Sequence, residues 1–540
     1  MATVVFLSFL SCQQLFAIMF VRSTPRCASQ VRAAVARARP SYASPQTRAY
    51  STPAAAAPVS SSPFGGPLVS FMNKLDELAP SFDINGSQIE IIREPADFYE
   101  TLKGRIRNAK NRVFLSTLYI GKTERELIAT IQEALRKNPE LKLHILTDAL
   151  RGTREAPKQS CASLLAPLVT EFGPDRVEIR MYHTPNLTGW RKKLMPRRIN
   201  EGWGLQHMKL YGVDDEIILS GANLSNDYFT NRQDRYHLFS SKAVTDYFYD
   251  IHRTVSSFSF LVEPTRERAG FELAWPVTNA APSPLDSPEK FVETTSSTLA
   301  RLISPRKTPS RDESKDTRVY MTAQMAQLLK RGASTDQPVI RSLLNFMRQE
   351  KTTWTFTAGY FNPSRSLQAA LIAAHSSEGQ NVVITAGPEA NGFFNAPGVA
   401  GLLPGAYTYY LRHFAHAVHS AGTEDSIKLK EWRRGVVGTP GGWSYHAKGI
   451  WVTLPGEETP CVTSIGSSNY TNRSYTHDLE AGALVVTRDQ DLKRRLGEEQ
   501  AWLQEYATFT TREDFETEER QVGWKVKAAM RIVRLLGGAL

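Results

Sequence analysis

Apolar and polar positions repeat with two different periods along this chain. The run Arg112–Tyr119 (RVFLSTLY) is short and apolar, which predicts a buried strand. Thr123–Lys137 puts Leu127, Ile128, Ile131 and Leu135 on one helical stripe. Leu141–Leu146 (LKLHIL) predicts a second strand, and Asp97–Asn111, upstream, has helical spacing. Strand, helix, strand in this order implies a parallel pair joined by a crossover helix. The order returns later: Trp354–Tyr360 as strand, Ser364–His375 as helix, Asn381–Ala386 (NVVITA) as strand. A scaffold that repeats predicts two related α/β domains.

The repeat carries chemistry with it. His207-Met208-Lys209 is followed by Asp214 and Asn223, and His446-Ala447-Lys448 is followed by Asn469. An acid stands 11 residues after each asparagine: Asp234 and Glu480. Tyr119 precedes His207 by 88 residues and Tyr360 precedes His446 by 86, so scaffold and motif are duplicated together. A single His-x-Lys reads as an exposed strand pair. The matched pair reads as one phosphodiester-handling site built twice.

The residue types suit that chemistry. A phosphodiester is anionic, and neutral imidazole is a nucleophile that approaches it without metal help. A lysine two residues along a strand faces the same way as the histidine, so its ammonium can neutralise a phosphate oxygen. Asparagine adds a neutral donor. With two histidines, one forms the covalent intermediate while the other moves protons. Asp234 and Glu480 are candidates to bond the far ring nitrogens and fix the tautomers.

This constellation resembles the phospholipase D superfamily, whose motif runs His-x-Lys, four residues, Asp, then Gly-Ser-x-Asn. The first copy keeps His207, Lys209, Asp214 and Asn223 but reads Ser220-Gly221 at the Gly-Ser positions. The second keeps His446, Lys448, Gly466, Ser467 and Asn469, has Thr453 at the Asp position, and carries extra residues around Leu454–Pro460. The runs Leu205–Tyr211 (LQHMKLY), Ile218–Tyr236 (ILSGANLSNDYFTNRQDRY), His183–Leu187 (HTPNL), Asp83–Tyr119 and Asp148–Arg154 (DALRGTR) are similar to the eukaryotic mitochondrial phosphatidylglycerophosphate synthases. That resemblance implies transfer of a phosphatidyl group from CDP-diacylglycerol to glycerol 3-phosphate, with release of CMP. It also implies His207 as nucleophile and His446 as proton carrier. The catalytic set it gives is His207, Lys209, Asp214, His446 and Lys448, supported by Asn223, Asp234, Ser467, Asn469 and Glu480. No cofactor and no metal is expected. Another phosphatidyltransferase or phospholipase is the alternative, and a nuclease a more distant one.

Charge refines the expectation. Residues 1–50 hold six arginines and no acid, which leaves +5 of the formal +11 for the rest of the chain. That mild surplus suits phosphate or an anionic membrane surface, and falls short of a nucleic-acid-binding balance. The acid-free, arginine-rich start reads as a mitochondrial transit peptide over 1–50, cut between Tyr50 and Ser51. Val4–Val21, uncharged, offers a signal anchor as the rival reading. The expected site of action is the matrix side of the inner membrane.

The remaining organisation follows from composition. Residues 51–80 read as a flexible linker, 81–262 as a first phospholipase D-like domain, and 319–540 as a second. Residues 263–318, rich in Pro, Ser, Thr and charge, read as a linker or surface excursion. Each domain is expected to be a mixed sheet flanked by helices, the two related by a pseudo-two-fold. Gly121-Lys122-Thr123 is no phosphate loop, because Ser116 stands where a glycine is required. Its turn, Tyr119–Thr123, is a candidate to line the site. Trp190–Arg198 (WRKKLMPRR) reads as a solvated basic face, or as a contact with anionic lipid or glycerol 3-phosphate. Val522–Leu536 reads as a packed terminal helix or a membrane-surface helix.

Overall fold

Two nine-stranded mixed sheets, alike in strand order except for one edge strand in each, organise the chain. The computed structural model describes residues 64–197, 200–305, 311–329, 334–377 and 379–535. The expected leader, its cut position and most of the 51–80 stretch lie outside the described residues. In chain order the strands are β1 (Ser81–Ile84), β2 (Ile89–Ile92), β3 (Arg112–Ser116), β4 (Lys142–Asp148), β5 (Val177–Tyr182), β6 (Leu210–Val213), β7 (Glu216–Ser220), β8 (Arg232–Gln233), β9 (Tyr236–Ser240) and β10 (Phe260–Pro264). They continue as β11 (Phe271–Ala274), β12 (Thr317–Gln324), β13 (Thr353–Ala358), β14 (Asn381–Ala386), β15 (Ile427–Trp432), β16 (Ser444–Tyr445), β17 (Lys448–Thr453), β18 (Val462–Gly466), β19 (Glu480–Thr487) and β20 (Ala507–Thr510).

The first sheet runs β11-β10-β5-β4-β3-β6-β7-β9-β2, and the second β1-β12-β19-β18-β17-β13-β14-β15-β20. In each, three central strands are parallel: β3, β4 and β5, then β13, β14 and β15. Every other pairing in the two sheets is antiparallel. The predicted strand–helix–strand units are these parallel pairs, crossed by helices Arg125–Lys137 and Arg365–Ala373.

Alternation within the strands builds three apolar layers. Val113 and Leu115 face an outer layer with helices Pro95–Arg107 and Arg125–Lys137, while Phe114 faces inward. The inward faces of both sheets merge into one core, where Leu210, Ile217 and Leu219 meet Met321, Ile465 and Ala483. That shared layer holds the duplicated halves together at their faces, and the described residues form one compact unit.

Two segments differ from the composition-based reading. Within 51–80, helix Pro67–Asp76 buries Leu68, Phe71, Met72 and Leu75 against helix Asp336–Glu350, with Phe71 stacked on Phe346 at 4.3 Å. Its apolar spacing is helical, but the Pro/Ser/Ala-rich approach conceals it. Within 263–318, helix Pro288–Ile303 buries Phe291, Leu299 and Ile303 in the shared core. β1, counted with the first half, is an edge strand of the second sheet beside β12. The C-terminal helix Trp524–Leu535 buries Met530 and packs on helix Leu403–Ser420, while Trp524 at its start is exposed.

Candidate active site

Each half ends its motif strand against the acid-bearing strand of the other half. Leu205–His207 runs parallel to Asp478–Glu480: Leu479 N donates to Leu205 O at 2.8 Å, and His207 N to Leu479 O at 2.9 Å. β16 runs parallel to β8 in the same way, with Ser444 N donating to Asn231 O at 2.9 Å and His446 N to Gln233 O at 2.8 Å. In both ribbons the residue before the histidine pairs with the residue before the acid. Parallel partners in register face the same side, so each ribbon delivers one imidazole to one carboxylate.

The resulting bonds cross between halves. His207 Nδ1 lies 3.0 Å from both Glu480 oxygens, and His446 Nδ1 lies 2.7 Å from Asp234 Oδ2. All four side chains are buried or nearly so. A carboxylate at Nδ1 puts the ring proton there and leaves the Nε2 lone pair free to react. Burial pushes His446 down to about 3, Lys448 adding to the effect and Asp234 opposing it. Burial, then Lys209, holds His207 well below the ordinary histidine range. Both rings are therefore neutral at pH 7.

The lysines tie the two motifs into one electrostatic site. Lys209 Nζ donates to His207 O at 2.7 Å, and burial brings it down to about 7 against the pull of Glu480. Lys448 Nζ lies 3.4 Å from Asp234 Oδ2 and 2.9 Å from His446 Nδ1, and burial lowers it too. Lys448 acts on His207 and Glu480 as well as on its own pair, and Lys209 feels both acids. These groups lie within electrostatic reach of one another.

The two pairs are not equivalent, and one residue explains why. At the position where the second copy has Ser467, the first has Gly221. A Cβ on Gly221 would stand 2.3 Å from Lys448 Nζ and 2.8 Å from Asp234 Oδ1. The missing side chain makes room for the lysine. Burial pushes Asp234 up, but Lys448 and then His446 outweigh it and hold it below the ordinary range. Opposite, Ser467 bonds the Ala481 backbone and Glu480, and burial pushes Glu480 up to about 7. The departure from Gly-Ser in the first motif is thus the fit for an ammonium.

The other expected residues divide. Asn223 is buried and donates through Nδ2 to Tyr228 Oη at 3.3 Å; Tyr228 Oη in turn lies 3.4 Å from His446 Nε2. Asn469 lies half-buried on the loop after β18, its backbone N bonded to Ser474 Oγ. Asp214 does not reach the site. It occupies the β6–β7 turn with φ 52°, and its carboxylate accepts from the backbone of Lys110, Asn111 and Arg112 at 2.7–3.1 Å. Its place in the catalytic set is corrected to a scaffold role: it stands at the opposite end of β6 from Lys209, its carboxylate held by three backbone amides.

Several residues here carry no sequence signal. Tyr228 and Tyr360 hold the His446 ring edge-on, at 5.3 and 5.1 Å between centroids. Arg473 pairs with Asp478 at 3.0 Å, donates to Glu201 O, and bears on His207. Arg235 crosses from the first half to Glu499 at 2.8 Å, to Ser464 O at 2.6 Å and to Lys448 O at 3.3 Å. His237 and Trp451 bond the same Glu499. This buried clamp fixes the strand that carries Lys448. The Tyr119–Thr123 turn stands close by, Tyr119 Oη lying 3.4 Å from Ser225 Oγ with Arg151 over its ring at 3.9 Å.

A duplicated α/β fold with two His-x-Lys motifs, each histidine bonded to the acid of the other half, defines a phospholipase D-like enzyme. The solved phosphatidylserine synthase of Haemophilus influenzae has this fold: TM-score 0.65 at 20% identity, over 87% of this chain and 97% of that one. No family model matches the chain. Curated relatives do. It is 43% identical to the CDP-diacylglycerol–glycerol-3-phosphate 3-phosphatidyltransferase of Saccharomyces cerevisiae, over 87% of this chain and 92% of the relative. The enzyme so named from Schizosaccharomyces pombe is 41% identical, over 80% and 91%. The human relative, named mitochondrial, is 34% identical over 85% and 84%. The chain belongs to the family of CDP-diacylglycerol–glycerol-3-phosphate 3-phosphatidyltransferases.

Proposed function

We propose that this chain moves the phosphatidyl group of CDP-diacylglycerol to glycerol 3-phosphate through a phosphohistidine on His207. Phosphatidylglycerophosphate and CMP are the products, and the step feeds phosphatidylglycerol and cardiolipin synthesis. His207 Nε2 attacks the phosphatidyl phosphorus, an N–P bond forms, and the P–O bond to CMP breaks. CMP is a phosphate monoester with a second pKa of about 6, so it leaves with little need of a proton. Glycerol 3-phosphate then enters. His446 Nε2 takes the proton from its hydroxyl, the oxygen attacks phosphorus, and the N–P bond breaks. Asp234 stabilises the imidazolium that results, and Glu480 does so for His207. Lys209 and Lys448 hold the phosphoryl oxygens in a dry site, where charge is worth most. The incoming phosphate charges offset the lysines that depress both rings, which raises His446 toward a useful base.

The observation that carries this reading is the pair of crossed imidazole–carboxylate contacts beside two buried lysines. The asymmetry favours the assignment of roles: Asp234 stays ionised beside the ring that must become cationic. The test is CMP release by the purified protein from CDP-diacylglycerol, offered glycerol 3-phosphate, serine or water. Multiple-turnover release that requires glycerol 3-phosphate, with acid-labile lipid trapped on His207, supports the proposal. Equal release with serine or water, or an adduct on His446 instead, sinks it.

The proposed place of action is the matrix face of the inner mitochondrial membrane, with peripheral contact to anionic lipid and no nucleic-acid partner. The acid-free first 50 residues and the mitochondrial names of the mouse and human relatives support it. Among the described residues, no helix is long and apolar enough to cross a membrane. Protease protection in intact and outer-membrane-stripped mitochondria tests it: cleavage from the intermembrane side refutes the matrix assignment.

A further inference from the structure

The described surface exposes six large apolar side chains: Trp190, Leu194, Val277, Val399, Phe509 and Trp524. Four of them lie on segments that adjoin elements of the active site. Trp190 and Leu194 lie on the helical turn Gly189–Leu194. Trp190 lines a cavity of about 660 Å³ together with Arg191, Trp203 and His477. Trp203 and His477 lead directly into the two strands of the His207–Glu480 ribbon. On the opposite side, Tyr407 stacks on Tyr360 at 5.3 Å, and Tyr360 meets the His446 ring. Tyr407 sits near the start of helix Leu403–Ser420, which the turn Gly398–Leu402 with Val399 precedes. Val526 of the C-terminal helix packs against Gly405, which puts Trp524 at the same end. Arg473 joins the two sides: it bears on His207, bonds Glu201 O, and is coupled to Tyr407.

The segments that carry these four apolar side chains, 185–197, 391–405 and 522–535, hold no acid. Arg191, Lys192, Lys193 and Arg197 surround Trp190, and Lys525, Lys527 and Arg531 are exposed beside Trp524. Arg191 lies over the Trp190 ring at 5.7 Å and Lys525 over the Trp524 ring at 6.0 Å. Exposed tryptophan with flanking cations is the composition of a surface that sits at the boundary of acyl chains and anionic headgroups.

We infer that this rim docks on an anionic phospholipid leaflet, with Trp190, Leu194, Val399 and Trp524 in the interface and the cations on headgroup phosphates. This rests on the reading of the chain as a phosphatidyltransferase. It adds an orientation: the site faces the leaflet, so a diacyl substrate presents its diphosphate to His207 while its chains stay in the bilayer. The basic run at 190–197 therefore meets the membrane and leaves glycerol 3-phosphate to the inner lysines.

The test compares the full chain with Trp190→Ala/Leu194→Ala and with Arg191→Ala/Lys192→Ala/Lys193→Ala. Partition is measured on phosphatidylcholine vesicles with and without phosphatidylglycerol, at low and high salt. Activity is measured on long-chain CDP-diacylglycerol in vesicles and on a monomeric short-chain analogue. Each lost cation costs about fivefold in partition, so the triple variant loses about a hundredfold at low salt and little at high salt. The double variant loses at least about tenfold at both. Vesicle activity falls in parallel while short-chain activity holds, with unchanged thermal melting. Wild-type partition in both variants overturns the proposal. So does an equal fall on the short-chain substrate, which would put these residues in the chemistry or the fold. Quenching of tryptophan emission by brominated lipid, reduced in Trp190→Phe at equal binding, checks insertion independently of either variant's stability. If the wild type fails on the short-chain substrate with glycerol 3-phosphate, the reaction assignment falls, while partition still decides the surface.

Discussion

Replacing Asp234 with asparagine separates the two halves of the reaction. The substitution keeps the shape of the side chain and removes one buried charge. Asp234 Oδ2 accepts from His446 Nδ1 at 2.7 Å and lies 3.4 Å from Lys448 Nζ. In the second step His446 becomes an imidazolium in a buried site, and its counter-charge would be gone. Removing one partner of a buried charge pair costs about 3–5 kcal/mol. At about 1.4 kcal/mol per tenfold, the second step slows by two to nearly four orders of magnitude. The first step moves no proton to His446, so it continues. Burial already lowers Lys448, which can shed its proton when Asp234 leaves, so the fold survives. Rapid-quench measurement with CDP-diacylglycerol and glycerol 3-phosphate should give one CMP per protein and then a stall, with lipid on His207 by mass spectrometry. Glu480→Gln should give no such burst, because it disorders the nucleophile. A burst from Glu480→Gln and none from Asp234→Asn would refute the reasoning, as would steady turnover of Asp234→Asn within tenfold of wild type.

Other expectations come from the same geometry. Gly221→Ala forces a methyl against Lys448 Nζ and the Asp234 carboxylate, and should cut kcat by at least about a hundredfold while thermal melting changes little; activity near wild type would show that the lysine does not need that space. Asp214→Ala leaves three backbone amides without their acceptor and should cost about 2–3 kcal/mol in chemical denaturation, with kcat/KM within about twofold at low temperature; a selective loss of kcat would return Asp214 to the site. Glu499→Gln strands the buried Arg235 and should destabilise by about 3–5 kcal/mol near neutral pH. The Arg235 guanidinium and His237 hold Glu499 well below the usual carboxylate range, against burial. Its stabilisation is therefore complete above its unfolded value of about 4.3 and is lost as pH falls through its folded one. Denaturation midpoints should fall less steeply with acid in the variant, and an unchanged slope would exclude Glu499 as the cause.

The duplication, the element types and a motif pair suited to phosphodiester chemistry were legible in the residues alone. Matched spacing from Tyr119 to His207 and from Tyr360 to His446 required two like scaffolds, because strand and helix periods are local properties of the chain. The residue types of the two motifs defined phosphoryl chemistry, because only a few side chains can attack or neutralise a phosphodiester. Composition misled where it was averaged over a segment: Phe291, Leu299 and Ile303 form a buried stripe inside a Ser/Thr-rich run, and Leu68, Phe71, Met72 and Leu75 do so after a Pro/Ser/Ala-rich one.

Which acid serves which histidine is a matter of how the two halves dock. Glu480 follows His446 in the chain yet bonds His207, and Asp234 follows His207 yet bonds His446. Spacing within a half says nothing about a ribbon formed with the other half, because that pairing depends on how two sheets dock through their shared core. The same docking decided that Gly221 yields its volume to Lys448, that Arg235 locks onto Glu499, and that Asp214 ties a distant turn. These are contacts between residues far apart in sequence, and the local patterns that predict strands and helices do not contain them.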